Sequence, residues 1–298
     1  MKLIAIDMDG TLLTKRLEIT PANLRAIQLA QEQHITVVIA TGRPYAWAQR
    51  KLAEAGLQCP IIGSNGAELF SLGGERLSTH PLSGEQFAIL QELLEQEKLY
   101  YEVYTNRGIF TENPDGAIAL RMTDIRSSEP HLSEAAIRAK AEERFARSTI
   151  IPVRSYSDVT NKSSRTPDMS DRVETYKLLT CSYDRERLLR CKTALQSNKA
   201  LAISSSAANN LEITNIAAQK GYALQRLAQH MGIELCETAA IGDNHNDLQM
   251  LQMAGVAIAM GNAHESIKSV CHHTTLSHEE SGVAHAIEHF CLSRTSGA

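Results

Sequence analysis

Lys2-Leu3-Ile4-Ala5-Ile6-Asp7-Met8-Asp9-Gly10-Thr11 decides how this chain is read. Leu3 to Ile6 is apolar at every position, as in a strand buried on both faces of a sheet. The run ends on two carboxylates. Side chains alternate faces along a strand, so Asp7 and Asp9 are expected to point the same way while Met8 points away. Two negative charges on one face of a buried strand repel unless a cation lies between them or one is protonated. Gly10 permits a sharp turn where a bulkier residue would block a ligand. Asp and Gly also dominate ordinary turns, so this stretch alone fits a strand ending in an Asp-rich turn equally well.

Strands of the same kind recur with helices between them. Thr20-Pro21 is a helix start, Thr20 as N-cap and Pro21 in the first helical position, and Ala22, Ala26, Leu29 and Ala30 follow at helical spacing. Ile35-Thr36-Val37-Val38-Ile39-Ala40 reads as a second buried strand. A helix from Ala46 to Ala55 leads to the strand Pro60-Ile61-Ile62-Gly63. This βαβαβ order predicts a doubly wound, mostly parallel α/β core with right-handed crossovers.

The pattern changes after Gly73-Gly74. Helices at Glu85–Glu97, Ser133–Arg147 and Asp184–Ser197 are expected among strands of a different kind. Tyr100–Thr105 and Gly108–Glu112 flank Asn106-Arg107 as a hairpin, which points to an inserted antiparallel α+β module. Ser155–Arg172 is polar and aperiodic and reads as a long loop. Alternation resumes after Leu211–Thr214, with a helix at Lys220–Met231, the strand Thr238–Ile241, a helix near Leu248, the strand Val256–Ala259 and a last helix at Gly282–Phe290. The expected organisation is a core made of residues 1–82 and 214–298, interrupted by a module at 83–213.

Composition narrows the setting. At about 150 residues per domain, 298 residues suggest two domains. A net charge of -4 gives no general case for nucleic acid or an acidic membrane surface, so attraction for an anionic ligand must be local. The cysteines, Cys59, Cys181, Cys191, Cys236, Cys271 and Cys291, are widely spaced with no CxxC pair, which suits a reduced compartment. With no basic region ahead of an apolar signal core, and no apolar run near the roughly 20 residues that span a bilayer, a cytoplasmic chain without membrane contact is expected.

In an open α/β sheet ligands bind beyond the carboxyl ends of the strands. Those tips carry Asp7 and Asp9, then Thr41-Gly42-Arg43, then Ser64-Asn65-Gly66-Ala67, and, after Ile241, Gly242-Asp243-Asn244-His245-Asn246-Asp247. Four such tips in one sheet exceed what turn chemistry alone explains. Asp7, Asp9 and Asp243 offer hard oxygen ligands suited to Mg2+ rather than zinc. Thr41 supplies a hydroxyl, and the Gly42 N–H can approach a phosphate closely because no Cβ intervenes. Lys220 at a helix start adds an ammonium to the positive end of a helix dipole, although a solvated surface lysine fits that position too.

Asp7-Met8-Asp9-Gly10-Thr11, Thr41-Gly42-Arg43, Lys220-Gly221 and Gly242-Asp243-x-x-Asn246-Asp247, in that order, resemble the four motifs of the haloacid dehalogenase-like (HAD) hydrolases. The insert, Ser64–Ala67 and Ser281-Gly282-Val283-Ala284 resemble the Cof-type subfamily, which has a large α/β cap between the second and third motifs. The resemblance spans essentially the whole chain. It implies a Mg2+-dependent phosphatase with Asp7 as nucleophile, forming an aspartyl-phosphate, and Asp9 as the acid/base that begins protonated. It implies Mg2+ held by the Asp7 carboxylate, the Asp9 backbone carbonyl and Asp243. Phosphoryl oxygens would be held by Thr41, the Gly42 and Met8 N–H groups, Lys220 and Asn246, with Asp247 orienting Lys220 or a metal-bound water. The cap at 83–213 would set specificity for a small phosphomonoester such as a sugar phosphate, in a monomer or homodimer.

Two other functions stay open at this point. A phosphomutase would use the same aspartyl-phosphate and return the group to a sugar. A phospholigand sensor would bind without turnover, yet has no need of an acid/base beside a nucleophile. Arg43 can reach a substrate or form an internal salt bridge. His245 reads as a loop residue, and Cys271-His272-His273 as part of a late core strand rather than a second metal site. Ala217-Ala218 stand where the family often has Gly-Val.

Overall fold

A computed structural model describes residues 1–160 and 172–292, so most of the segment expected as a long loop, 161–171, lies outside the described residues. The chain begins with β1 (Leu3–Asp7), α1 (Pro21–Glu32), β2 (Thr36–Ala40), α2 (Tyr45–Glu54), β3 (Ile61–Gly63), β4 (Glu68–Phe70) and β5 (Arg76–Thr79). There follow α3 (Gly84–Gln96), β6 (Tyr100–Thr105), β7 (Gly108–Thr111), α4 (Pro114–Ser128), α5 (Glu134–Ala146), β8 (Ile150–Pro152) and α6 (Ser157–Thr160). Next come β9 (Thr175–Cys181), α7 (Arg185–Leu195), β10 (Leu201–Ser204) and β11 (Asn210–Asn215). The last stretch holds α8 (Lys220–His230), β12 (Thr238–Gly242), α9 (Leu248–Met253), β13 (Val256–Ala259), α10 (Glu265–Lys268), β14 (His273–Thr274) and α11 (Gly282–Ala286), which runs into a π-helical turn, Ile287–Cys291. The chain divides into two compact units, Met1–His80 with Ile216–Ala298, and Pro81–Asn215.

The first unit is the doubly wound α/β core. Its sheet has the order β14-β13-β12-β1-β2-β3-β4-β5. Pairing is parallel from β14 to β3 and antiparallel at β4 and β5. Leu3, Ile4, Ala5 and Ile6 of β1 are wholly buried because the strand is central and covered on both faces. From β1 the chain winds one way to β2 and β3, and after α8 it returns to the other side as β12, β13 and β14. That reversal makes the end of β1 a topological switch point, where a crevice opens in such sheets. The tips expected to carry chemistry therefore lie on four neighbouring strands, β12, β1, β2 and β3.

Thr20 caps α1, accepting from the Asn23 N–H, and Pro21 occupies its first turn. Asn23 is buried on that helix, its Nδ2 donating to the Leu12 carbonyl (3.3 Å) and its Oδ1 accepting from the Ala284 N–H (2.9 Å). One side chain thus ties the loop after β1 to α11.

The second unit is α+β. Its sheet has the order β10-β11-β9-β6-β7-β8, antiparallel except for β7 with β8. Tyr101, Val103, Leu178, Leu211 and Ile213 pack in one cluster with Leu90 and Leu94 of α3 and Leu188, Cys191 and Leu195 of α7. Glu102, Tyr104, Lys177 and Glu212 alternate with these residues and are buried. There Lys177 pairs with Glu212 at 3.2 Å, and Glu102 accepts from the Tyr100 and Tyr104 hydroxyls. Helix α4 and the short α6, inside the segment expected as loop, are elements the sequence reading did not anticipate. No helix among the described residues is long and apolar enough to cross a membrane.

Asn23→Ala removes both bonds and strands a buried N–H. It should destabilise the protein by about 1–3 kcal/mol. A urea-unfolding midpoint equal to that of the parent protein would refute this.

Candidate active site

Lys220 joins the tips. The first residue of α8, it is fully buried, and its Nζ donates to Asp7 Oδ1 and to Asp247 Oδ1, each at 2.6 Å. Its place depends on two glycines. A Cβ on Gly221 would stand 2.9 Å from the Gln249 backbone, so only glycine lets α8 begin this close to α9. Gly66 has φ +95, and a Cβ there would meet the Gln219 carbonyl oxygen at 2.5 Å, so the turn after β3 seats the start of α8.

Asp247 is held on every side. Its Oδ2 accepts from the Asp243 N–H (3.0 Å) and the Asn244 N–H (3.1 Å), while Oδ1 faces Lys220. Asp243 accepts from the Thr11 hydroxyl at 3.0 Å. The loop after β1 comes so near that a Cβ on Gly10 would lie 2.5 Å from Asp243 Oδ2. Asn262 Nδ2 fastens that loop by donating to the Gly10 carbonyl at 2.9 Å.

Asp7, Asp243 and Asp247 each present a carboxylate oxygen within 4.8 Å of the others. Three carboxylates against one ammonium leave an excess of negative charge, and all the ligand atoms are hard oxygens, so the cluster could hold a metal ion. The electrostatics of the cluster agree. Burial first, then the charges of Asp247 and Asp243, push Asp7 well above the usual carboxylate range, against the pull of Lys220. Burial and Asp247 push Asp243 up to about 7, opposed by the Thr11 hydroxyl. For Lys220 burial acts downward, but Asp247 and Asp7 together outweigh it and keep the ammonium charged.

Asp9 lies elsewhere. β1 ends at Asp7 and the chain turns at Gly10 (φ +82), so strand alternation stops before Asp9 and the two carboxylates do not share an environment. Asp7 is buried, whereas Asp9 accepts from Arg43 Nε (Oδ2, 2.8 Å) and Nη2 (Oδ1, 2.6 Å). A guanidinium only donates, so both Asp9 oxygens serve as acceptors in this fork. The Asp9 carboxylate is also absent from the acidic cluster, so any share in a cation site falls to its backbone carbonyl.

The remaining residues stand on the neighbouring tips. Thr41 is buried at the end of β2, its hydroxyl accepting from the Arg43 N–H (3.1 Å) and its carbonyl from the Asn65 N–H (3.0 Å), with Gly42 next in the chain. Asn246 Nδ2 donates to Asn65 Oδ1 at 3.3 Å, linking the tips of β12 and β3. Met8 is buried, and its carbonyl accepts from the Leu13 N–H at 2.9 Å. His245 is exposed, its ring 6.2 Å from that of His264. His272 Nδ1 accepts from the Ala257 N–H and His273 stacks on Phe290, so both serve packing around β13 and β14. Among the described residues neither joins a metal-ligand cluster.

Sequence reading assigned no role to Thr11, Asn65, Asn262 or Glu68. Glu68 is buried and accepts from the Tyr45 N–H at the start of α2 (2.8 Å) and from the Ser64 hydroxyl (3.0 Å). Thr11 was legible in principle, as a hydroxyl ending an Asp-rich tip. Asn65 and Asn262 act through partners distant in sequence, as Glu68 does on Tyr45.

A buried parallel-sheet crevice with a fixed ammonium and converging carboxylates is the site of an enzyme that handles anionic groups. Comparison with known proteins agrees. The family model described as haloacid dehalogenase-like hydrolase matches residues 4–287. Phosphatase YwpJ of Bacillus subtilis (strain 168) is 33% identical over 290 residues, 97% of this chain and 99% of that protein. 5-Amino-6-(5-phospho-D-ribitylamino)uracil phosphatase YwtE of the same organism is 33% identical over 289 residues, 97% of each chain. The solved structure of a haloacid dehalogenase-like hydrolase from B. subtilis superimposes with a TM-score of 0.82 at 34% identity, covering 97% of this chain and 100% of that one. The chain belongs to the haloacid dehalogenase-like hydrolases, in the Cof-type group, and is a phosphatase.

The raised Asp243 fixes a pH dependence. A carboxyl group raised on folding stabilises most below its unfolded value near 4, and that contribution is lost as pH climbs to about 7. Thermal melts in chelator should therefore show stability from this source declining between about pH 4 and 7, and a divalent cation should reduce the decline. Identical pH profiles with and without the cation would contradict the cluster as a cation site.

Proposed function

We propose that this phosphatase hydrolyses small phosphomonoesters, such as sugar phosphates and similar metabolites, through an aspartyl-phosphate on Asp7. The observation that carries the reading is Asp7 at the tip of the central strand, one oxygen fixed by buried Lys220, beside Asp243 and Asp247. A pure binding site would not need a carboxylate where an anion is to sit. In the first step Asp7 attacks phosphorus, an O–P bond forms, and the ester P–O bond breaks. The leaving oxygen takes its proton from Asp9. In the second step a water gives its proton to Asp9 and attacks the same phosphorus, releasing inorganic phosphate and the Asp7 carboxylate.

Lys220, the Thr41 hydroxyl, the Gly42 and Met8 N–H groups and Asn246 hold the phosphoryl oxygens as charge moves among them. Asp247, with both oxygens engaged, keeps Lys220 in place. Mg2+ suits the oxygen-only donor set of Asp7, Asp243 and the Asp9 carbonyl, and when bound it supplies positive charge that offsets repulsion between nucleophile and phosphate. Residues 83–213 form the module that selects the leaving group. The relative that acts on a phosphoribityl-substituted uracil supports a phosphomonoester of metabolite size as the substrate class.

Asp7→Asn should lower phosphate release from p-nitrophenyl phosphate by at least about a thousandfold, as should chelation of Mg2+. Full turnover by the Asp7→Asn variant would sink the mechanism.

A further inference from the structure

Arg43 is held at more points than a surface ion pair needs. Its backbone is pinned at both polar groups, the N–H by the Thr41 hydroxyl (3.1 Å) and the carbonyl by the Ser64 N–H (2.8 Å). Its guanidinium lies over the Trp47 ring, Cζ 3.8 Å from the centroid. Trp47 is the only tryptophan in the chain, and it packs against the core from the first turn of α2. The other edge of the guanidinium forks onto both Asp9 oxygens. Asp9 itself has left the strand, so the regular geometry of β1 does not orient its side chain. An exposed ion pair by itself contributes little and leaves both partners mobile. A planar fork stacked on a ring attached to the core fixes position as well as charge.

We propose that Arg43 is the positioning residue for Asp9, and that the Trp47 ring sets where the fork stands. This rests on the reading of Asp9 as the acid that protonates the leaving oxygen. The fork occupies one donor edge of the guanidinium. Giving up one of its two bonds frees an Asp9 oxygen to face the ester while the other bond acts as a pivot. Lysine cannot do this, because one ammonium on a flexible stem offers no planar fork.

The test exploits leaving groups. An alkoxide needs a proton as it departs, whereas p-nitrophenolate leaves without one. The quantity to measure is kcat/KM, which covers steps only up to leaving-group departure and omits the later hydrolysis of the enzyme intermediate. Arg43→Lys, checked for folding by its Trp47 emission and melting temperature, should lose about tenfold to a hundredfold in kcat/KM for the fastest alkyl phosphate found in a substrate screen. On p-nitrophenyl phosphate it should lose less than about threefold. In an Asp9→Asn background Arg43→Lys should add no further loss on the alkyl ester, because the two residues act as one unit. Equal losses on both esters, or the same loss with and without Asp9, would overturn the role of Arg43 and leave the function of Asp9 standing. Wild-type kcat/KM for the alkyl ester in Asp9→Asn alone would instead overturn the acid assignment.

Discussion

A single buried ammonium organises the core. Lys220 reaches from the start of α8 to carboxylates on β1 and on the turn after β12, joining segments 213 and 27 residues away in the chain. Buried charge is expensive, and the carboxylate of Asp247 has further partners that offset part of the cost. Asp247 accepts two backbone N–H groups besides Lys220. The group is costly as a stability device, and replacing it by apolar residues of equal volume would suit folding at least as well. What it secures is a charged constellation held rigid before any ligand arrives, the preorganisation that electrostatic catalysis requires.

Close approach at this point is a matter of missing atoms as much as of attractive ones. A Cβ at Gly242 would stand 2.7 Å from the Asp247 carboxylate, and one at Gly10 would meet that of Asp243. Hydroxyl and amide groups then fill the second layer, Thr11 on Asp243 and Asn262 on the loop of Gly10. The acidic cluster is thus built from glycine positions inward. The carboxylates of Asp243 and Asp247 lie where backbone without a side chain leaves them room.

Much of this was legible in the sequence because the signals are local. The apolar runs of β1 and β2, the Thr20-Pro21 cap and the Asn106-Arg107 hairpin depend on neighbours a few residues apart. Helix α4 escaped because Ala117 and Ile125 are its only buried residues, so no stripe repeats at helical spacing, although the cap Asn113 and Pro114 offered a start signal. The hairpin of β4 and β5 was foreshadowed only by its turn at Gly73-Gly74, since each strand is too short for a clear period. At the site, residue types and strand tips were readable. The pairing of Asp9 with Arg43 was not, because it depends on where β1 ends and on a ring four residues further along.

The sheet edges carry one more consequence. The core sheet ends on β14, two residues, and β5, four; the second sheet ends on β10, four, and β8, three with Pro152 at its end. Short margins of this kind offer few unpaired backbone groups in a row, and proline removes a donor outright. Both sheets therefore offer a second chain little backbone for strand addition. Contacts between copies of the folded enzyme would fall mainly to helices and side chains rather than to backbone pairing at these edges.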